Sequence, residues 1–378
     1  MKSLSRSFLV LSCLSMFACS DDADTKSNNS QNNVAQTNNQ TTVLNNQTAG
    51  TNNVAETNNQ TTATNNQTTA TNNQTDNNVV STAAEVDPNC VDGQYAEALP
   101  SPSADISAEL ASYSEANLVS FYDAVLKKRY PVGAWLVTQG LTNEQFDCVE
   151  AFSSDTGTAD GAIGSLSTVV HECGHIYNFT LSNDSYGVTP TLQLSCSGGD
   201  TTERGGETFA RSRLKTDAYY ALRPDCEDVG AAPNNCDFYA GVYLDGNPDD
   251  ATFDGGDQGF NSVLEETLQY VNSLATEYAF QDFIGGSTSA LDGILTFLWY
   301  VERYLAMART DFPGAYAKLS ADPCWRNAIL TVWGRAWIML EAAEGNQSLG
   351  IDDAQLFDLV RNPMLLGEIQ RLRDLEGC

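Results

Sequence analysis

His171, Glu172, Cys173, Gly174 and His175 spell H-E-x-x-H, and they contain the only two histidines among 378 residues. A chain this poor in histidine offers no background from which such a spacing would readily arise. Positions i and i+4 of a helix share a face, so both imidazoles can point at one metal ion. The Glu between them then stands beside a water on that metal, where a general base is useful. No Ser-His-Asp or Cys-His arrangement competes, because both histidines are taken. Gly205-Gly206 and Gly255-Gly256 lack the Lys of a phosphate-cradling loop.

A hydrolytic metal site needs three protein ligands and one open position. The third ligand cannot be a histidine here, since none remains. Helical period over 261–283 gives an apolar stripe of Leu264, Leu268, Val271, Ala275 and Tyr278. Glu266 and Tyr270 lie one turn apart on a second face, which Ser273 continues. One rigid element would thus deliver a carboxylate ligand and a phenol for a developing oxyanion. Glu265, on the flank beside Gln269, is an alternate ligand. Glu207 is another, in a helix read over 206–222, in register with Ala210, Leu214 and Ala218. Arg211 at i+4 could balance Glu207 without a metal, and Glu266 could simply lie on a solvated helix face.

His171, Glu172 and His175 resemble the motif of the zincin metallopeptidases. The metzincin extension fails, because Asn178 stands where a Gly is expected and Leu181 where the third His would be. The chain looks like the gluzincin branch, whose third ligand is a Glu from a later helix. The resemblance covers five contiguous residues and one inferred position. It implies a zincin-like domain holding one zinc ion per chain through His171, His175 and Glu266 (or Glu265, or Glu207). Glu172 would be the general base, Tyr270 the oxyanion donor, and a peptide or protein the substrate.

The elements that must position these residues come after a long approach. Lys2 and Arg6 precede a short apolar core ending in Met16-Phe17-Ala18-Cys19, which reads as a signal peptide (1–19) with a lipobox-like Cys19. Lipidation of Cys19 would hold the protein in a bacterial cell envelope, in the outer membrane or at the cell surface; plain secretion is the alternative. Residues 20–85 are low-complexity Asn, Thr, Gln and Ala, too poor in apolar surface to order, and read as a disordered tether. Residues 86–378 read as one mainly α (α+β) domain with a helical C-terminal part. Helices are expected at 114–129, 142–152, 162–177, 261–283, 290–309 and from Pro323 to about Ala343, where Asp322 is the N-cap. Two shorter helices close the chain, and Thr191 to Cys196 alternates as a strand would.

Eight cysteines remain beyond Cys19, without a C-x-x-C pair, which suits disulfides rather than a cysteine metal site. Cys173 points away from the metal face, and a bond to Cys196 would pin the motif helix to the following strand. The net charge is −30, with 16 basic against 43 acidic side chains after residue 85, which argues against nucleic acid and anionic lipid as partners. Membrane contact is expected through the lipid anchor only. Asp245, Asn247 and Asp249 have the first spacings of a calcium loop. Asp250 replaces its Gly, however, and Gly256 its bidentate Glu, so calcium is a weak expectation beside a plain turn. The leading functional expectation is zinc-dependent peptide hydrolysis. The alternatives are a surface lipoprotein that keeps a metal without turnover, and a domain in which the motif is only a salt-bridged helix.

Overall fold

In the computed structural model, the residues described are 83–144, 146–181, 185–187, 195–197, 238–244, 259–286, 288–351 and 353–378. They are mainly helical, and they fall within one compact unit. The first helices are α1 (Val91–Gln94), α2 (Ser107–Ala111), α3 (Leu118–Arg129), α4 (Pro131–Gly140), α5 (Cys148–Phe152), α6 (Ala159–Gly164) and α7 (Leu166–Leu181). A small antiparallel ribbon follows, β1 (Ser185–Gly187) and β2 (Ser195–Ser197), with Tyr186 opposite Cys196. Then come α8 (Phe238–Tyr243), α9 (Phe260–Ala279), α10 (Ala290–Asp311), α11 (Pro313–Ala321), α12 (Pro323–Ala343), α13 (Asp353–Val360) and α14 (Pro363–Glu376).

Two helices sit at the centre. Every residue of α9 from Val263 to Thr276 is buried, as is every residue of α10 from Ala290 to Ala308. A helix hidden all round must be covered on all sides, and α9 packs against α7, α10 and α12. Its apolar members Leu268, Val271 and Leu274 are fully buried, each stabilising the fold by about 1.5–3 kcal/mol. The aromatic residues Phe297, Trp299, Tyr300, Tyr304, Trp333 and Trp337 are core, as their helical spacing suggests. No helix among the described residues is long and apolar enough to cross a membrane.

Local signals explain most boundaries. Asp322 accepts from the Cys324 amide at 2.9 Å and Pro323 opens α12. Gly377, at φ 83°, closes α14 in the left-handed conformation. Two expected helices need correction. The helix expected over 142–152 starts only at Cys148, because the Asp147 side chain caps the Val149 and Glu150 amides. The helix before it, α4, begins at Pro131 with proline in the first turn and ends at Gly140, short of the expected span. The motif helix is broken at Ser165 into α6 and α7, α6 being capped by Thr158. The expected 206–222 helix, Glu207 and the 245–258 loop lie outside the described residues.

Disulfide pairing differs as well. Cys173 bonds Cys148 rather than Cys196, so α7 is tied to α5. Gly140 of α4 lets this happen, since a Cβ there would meet the Cys173 carbonyl at 2.7 Å and Cys148 Sγ at 3.0 Å. Cys90 bonds Cys378, joining the two ends of the described chain. The same seam holds the Arg373–Asp92 ion pair at 2.7 Å, with both side chains wholly buried. Arg373 also donates to the carbonyls of Ala84 and Glu85 at 2.8 Å.

Glu302 on α10 is fully buried, and neither of its carboxyl oxygens has a hydrogen-bond partner. Burial pushes its pKa well above the ordinary value, and the Glu368 carboxylate adds to the shift. A raised folded pKa means a stabilisation fully present below the unfolded value of about 4.3 and lost as pH rises toward the folded one. Glu302→Gln should therefore flatten the fall in urea midpoint with rising pH, relative to wild type. Parallel stability curves for the two proteins across that range would refute a perturbed Glu302.

Candidate metal centre

The site forms where α7 crosses α9. The four-residue spacing brings His171 and His175 to one face of α7, with their Nε2 atoms 3.0 Å apart. From α9, Glu266 Oε2 lies 3.5 Å from His171 Nε2 and 3.4 Å from His175 Nε2. Among the described residues these three form the one cluster of metal-ligand type, and all are buried. The triangle can be tested against a metal. Ligands about 2.05 Å from a tetrahedral ion stand about 3.3 Å from one another. Edges of 3.0, 3.4 and 3.5 Å match that separation, and the set of two imidazoles and a carboxylate suits zinc.

Each imidazole is held from behind. His171 Nδ1 is 2.9 Å from Ser273 Oγ, and His175 Nδ1 is 2.5 Å from Glu265 Oε2. Glu265, considered above as an alternate ligand, thus reaches the far nitrogen of His175. It occupies the outer position that sets ring orientation. Its other oxygen accepts from Asn178 Nδ2 at 2.7 Å and from Gln269 Nε2 at 2.8 Å. Glu266 is not on a solvated face, being 2 % exposed.

The charges explain the electrostatics. Burial works to lower the His175 pKa, but Glu265 and Glu266 outweigh it and hold that pKa well above the ordinary range. Burial likewise works to raise Glu266, but His175 and the hydrogen bonds from both histidines pull its pKa far below the ordinary value. Glu172 is 4 % exposed, and its pKa is raised by burial against the pull of His175 and His171. Its Oε2 is buried without a hydrogen-bond partner. Three carboxyl groups around two imidazoles make a cage that favours a cation, and a metal binding there must displace a proton.

Tyr270 sits as an edge-on neighbour of His171, with ring centroids 5.1 Å apart, and stacks on Phe297 at 4.5 Å. Its hydroxyl lies 3.0 Å from that of Tyr243 on α8. Gly293 of α10 gives the Tyr270 ring its room, since a Cβ there would approach it to 2.6 Å.

With this geometry in view, the chain was compared with protein-family models, curated proteins and solved structures. It matches none of them.

Sequence reasoning brought together His171, His175 and Glu266 but missed Gly174. A Cβ at Gly174 would sit 2.0 Å from Gln269 Oε1, so the crossing of α7 and α9 depends on a glycine inside the motif. The available signal was in α9, where Glu265, Gln269 and Asn272 recur at intervals of four and three along one face.

Two outcomes follow from the crossing. Glu266→Ala should abolish stoichiometric zinc binding, while Glu265→Ala should weaken it roughly 10–100-fold, as read by competition with a chromogenic chelator. Zinc retained in Glu266→Ala but lost in Glu265→Ala would reverse the two roles. Gly174→Ala should destabilise the fold by about 1–3 kcal/mol in urea denaturation, because the added methyl has to push Gln269 aside.

Proposed function

We propose that this protein is an exported, zinc-dependent peptide hydrolase in which His171, His175 and Glu266 hold the metal and Glu172 acts as general base. The observation that carries the reading is the arrival of Glu266, from a separate helix, at 3.4–3.5 Å from both imidazoles. The same site keeps a Glu172 oxygen uncommitted. A structural metal has no use for a buried carboxylate oxygen left without a hydrogen bond, whereas hydrolysis needs a base.

Bound zinc would supply Lewis acidity, polarising a carbonyl and making water acidic at neutral pH. The chain's own groups would do the rest. Glu172, its pKa raised by burial, accepts the proton of the attacking water and passes it to the leaving amine nitrogen. Ser273 and Glu265 hold the two imidazoles in place from behind. Tyr270 is placed beside His171 by Phe297 and Tyr243. Tyr270 would serve as the donor to a developing oxyanion, its hydroxyl lying 3.0 Å from that of Tyr243. The signal-like segment 1–19 with its lipobox-like Cys19 supports a cell-envelope setting for this activity, or a secreted one. Disulfides at Cys90 and Cys148 suit an oxidising compartment.

The burial of the cluster favours one further reading, in which the metal is retained without turnover. His171 is 7 % exposed, His175 1 % and Glu266 2 %, which leaves little surface for a substrate in this conformation. Glu172→Gln separates the two. The variant should keep about one zinc per chain by elemental analysis and lose on the order of 10²–10⁴ in the rate of cleavage of fluorescence-quenched peptides. Unchanged cleavage in Glu172→Gln would remove Glu172 as the base. Metal-loaded wild type that cleaves no peptide would favour the retained-metal reading, and wild type without zinc would remove both.

A further inference from the structure

We propose that a cleft between α12 and α13 binds the guanidinium group of an arginine in a basic peptide, at a site separate from the metal centre. The inference rests neither on a bound metal nor on turnover.

The cleft encloses about 390 Å³, toward the lower end of the range typical of ligand pockets. Its wall is aromatic, formed by Trp337 of α12 and Phe357 of α13 with ring centroids 6.1 Å apart. A guanidinium already lies against that wall. Arg361, which follows α13, has its Cζ 4.6 Å from the Phe357 centroid and 5.6 Å from that of Trp337. Its Nε donates to Glu85 Oε1 at 2.6 Å. Arg361 thus shows which group the wall accepts: a flat cation laid on rings and held at its edge by a carboxylate. Both side chains of that ion pair are 40 % exposed. An exposed pair of this kind holds weakly, so another guanidinium can take its place.

The charge balance calls for such a ligand. Glu341 and Glu344 line the same cleft, and both are exposed. Neither carboxylate has an ion-pair or hydrogen-bond partner among the described residues. They stand at the C-terminal end of α12, whose last turn carries no basic residue. A helix C-terminus is the negative end of the helix dipole and is stabilised by cations, yet here it carries two further negative charges. Around the cleft, three carboxylates face one guanidinium. A metal ion does not answer this charge. His171, His175 and Glu266 are the one set of three described residues close enough to share an ion, so Glu85, Glu341 and Glu344 stand too far apart to hold one together. Carboxylates spread round an aromatic wall suit a larger, flat organic cation.

One hydrogen bond also remains to be made at the wall. Trp337 is 2 % exposed, and its Nε1–H has no acceptor. A backbone carbonyl beside the incoming arginine would supply one once Arg361 swings away. The net charge of −30 draws basic peptides toward the chain as a whole, and the cleft gives that attraction one address.

The test is a calorimetric titration of the full-length protein with a blocked tri-arginine peptide, with a zinc chelator present so that the peptide stays intact. One peptide per chain should bind, and a blocked tri-serine peptide should not. Glu341→Gln combined with Glu344→Gln should weaken binding about tenfold, as expected for the loss of two exposed ion pairs. Both side chains are exposed and unpartnered, so this variant keeps its fold. Arg361→Gln removes the resident guanidinium and should tighten binding about threefold. Lys127→Gln removes the same charge from α3 and should change nothing. Glu150→Gln combined with Asp160→Asn takes two exposed carboxylates from α5 and α6 and should also leave binding as it is. Wild-type affinity in the Glu341 and Glu344 variant overturns the proposal. An equal loss in the Glu150 and Asp160 variant does so too, because the effect would then be one of net charge. Equal binding of a blocked tri-lysine peptide overturns the guanidinium assignment, and no binding of the tri-arginine peptide removes the site altogether.

Discussion

Glu265 and Glu266 are adjacent carboxylates in the middle of α9, a helix buried on every side from Val263 to Thr276. A buried carboxylate is tolerated only when paired and hydrogen-bonded, and unpaired it shifts its pKa until neutral. Successive residues on a helix point in directions about 100° apart, so no single atom can serve both. The structure answers with α7 laid across α9, where His175 meets Glu265 with one nitrogen and Glu266 with the other. The polar side chains around this crossing complete the answer: Asn178 and Gln269 on Glu265, and Ser273 on His171. The site and the packing of the central helices are therefore the same arrangement.

How closely the two helices approach is set by residues that carry no chemistry. Gly174 admits the Gln269 side chain, Gly140 admits the Cys148–Cys173 bridge, and Gly293 admits the Tyr270 ring. Each glycine lies on one helix and serves a side chain or bridge on another. The bridge also restrains the middle of the H-E-x-x-H segment from the side opposite the ligands.

The sequence showed the clustered residues more readily than what supports them. His171, Glu172 and His175 are legible because their chemistry and spacing are local, within one helical turn. Glu266 was legible through elimination and its helix face. Its neighbour Glu265 was placed on the correct flank beside Gln269, yet its bond to His175 Nδ1 depends on the crossing of two helices about 90 residues apart in sequence. The break at Ser165 and the start of α4 at Pro131 were missed for a local reason: capping by Thr158 and a first-turn proline prevailed over a continuous apolar period. The partner of Cys173 was missed because Cys196 follows nearby in an alternating segment, whereas Cys148 is brought close by α5 folding back on α7.

The Cys90–Cys378 bond closes a ring between residues 288 apart in sequence, and that has a mechanical meaning. A pull applied to the chain at Cys90 and at Cys378 passes from one to the other through sulfur. The intervening helices, with α7 and α9 among them, lie off the line of tension. Stretching the protein end to end would strain a covalent bond long before it drew His171 and His175 away from Glu266. A domain carried at the end of a long low-complexity segment can in this way be tugged without its interior registering the force.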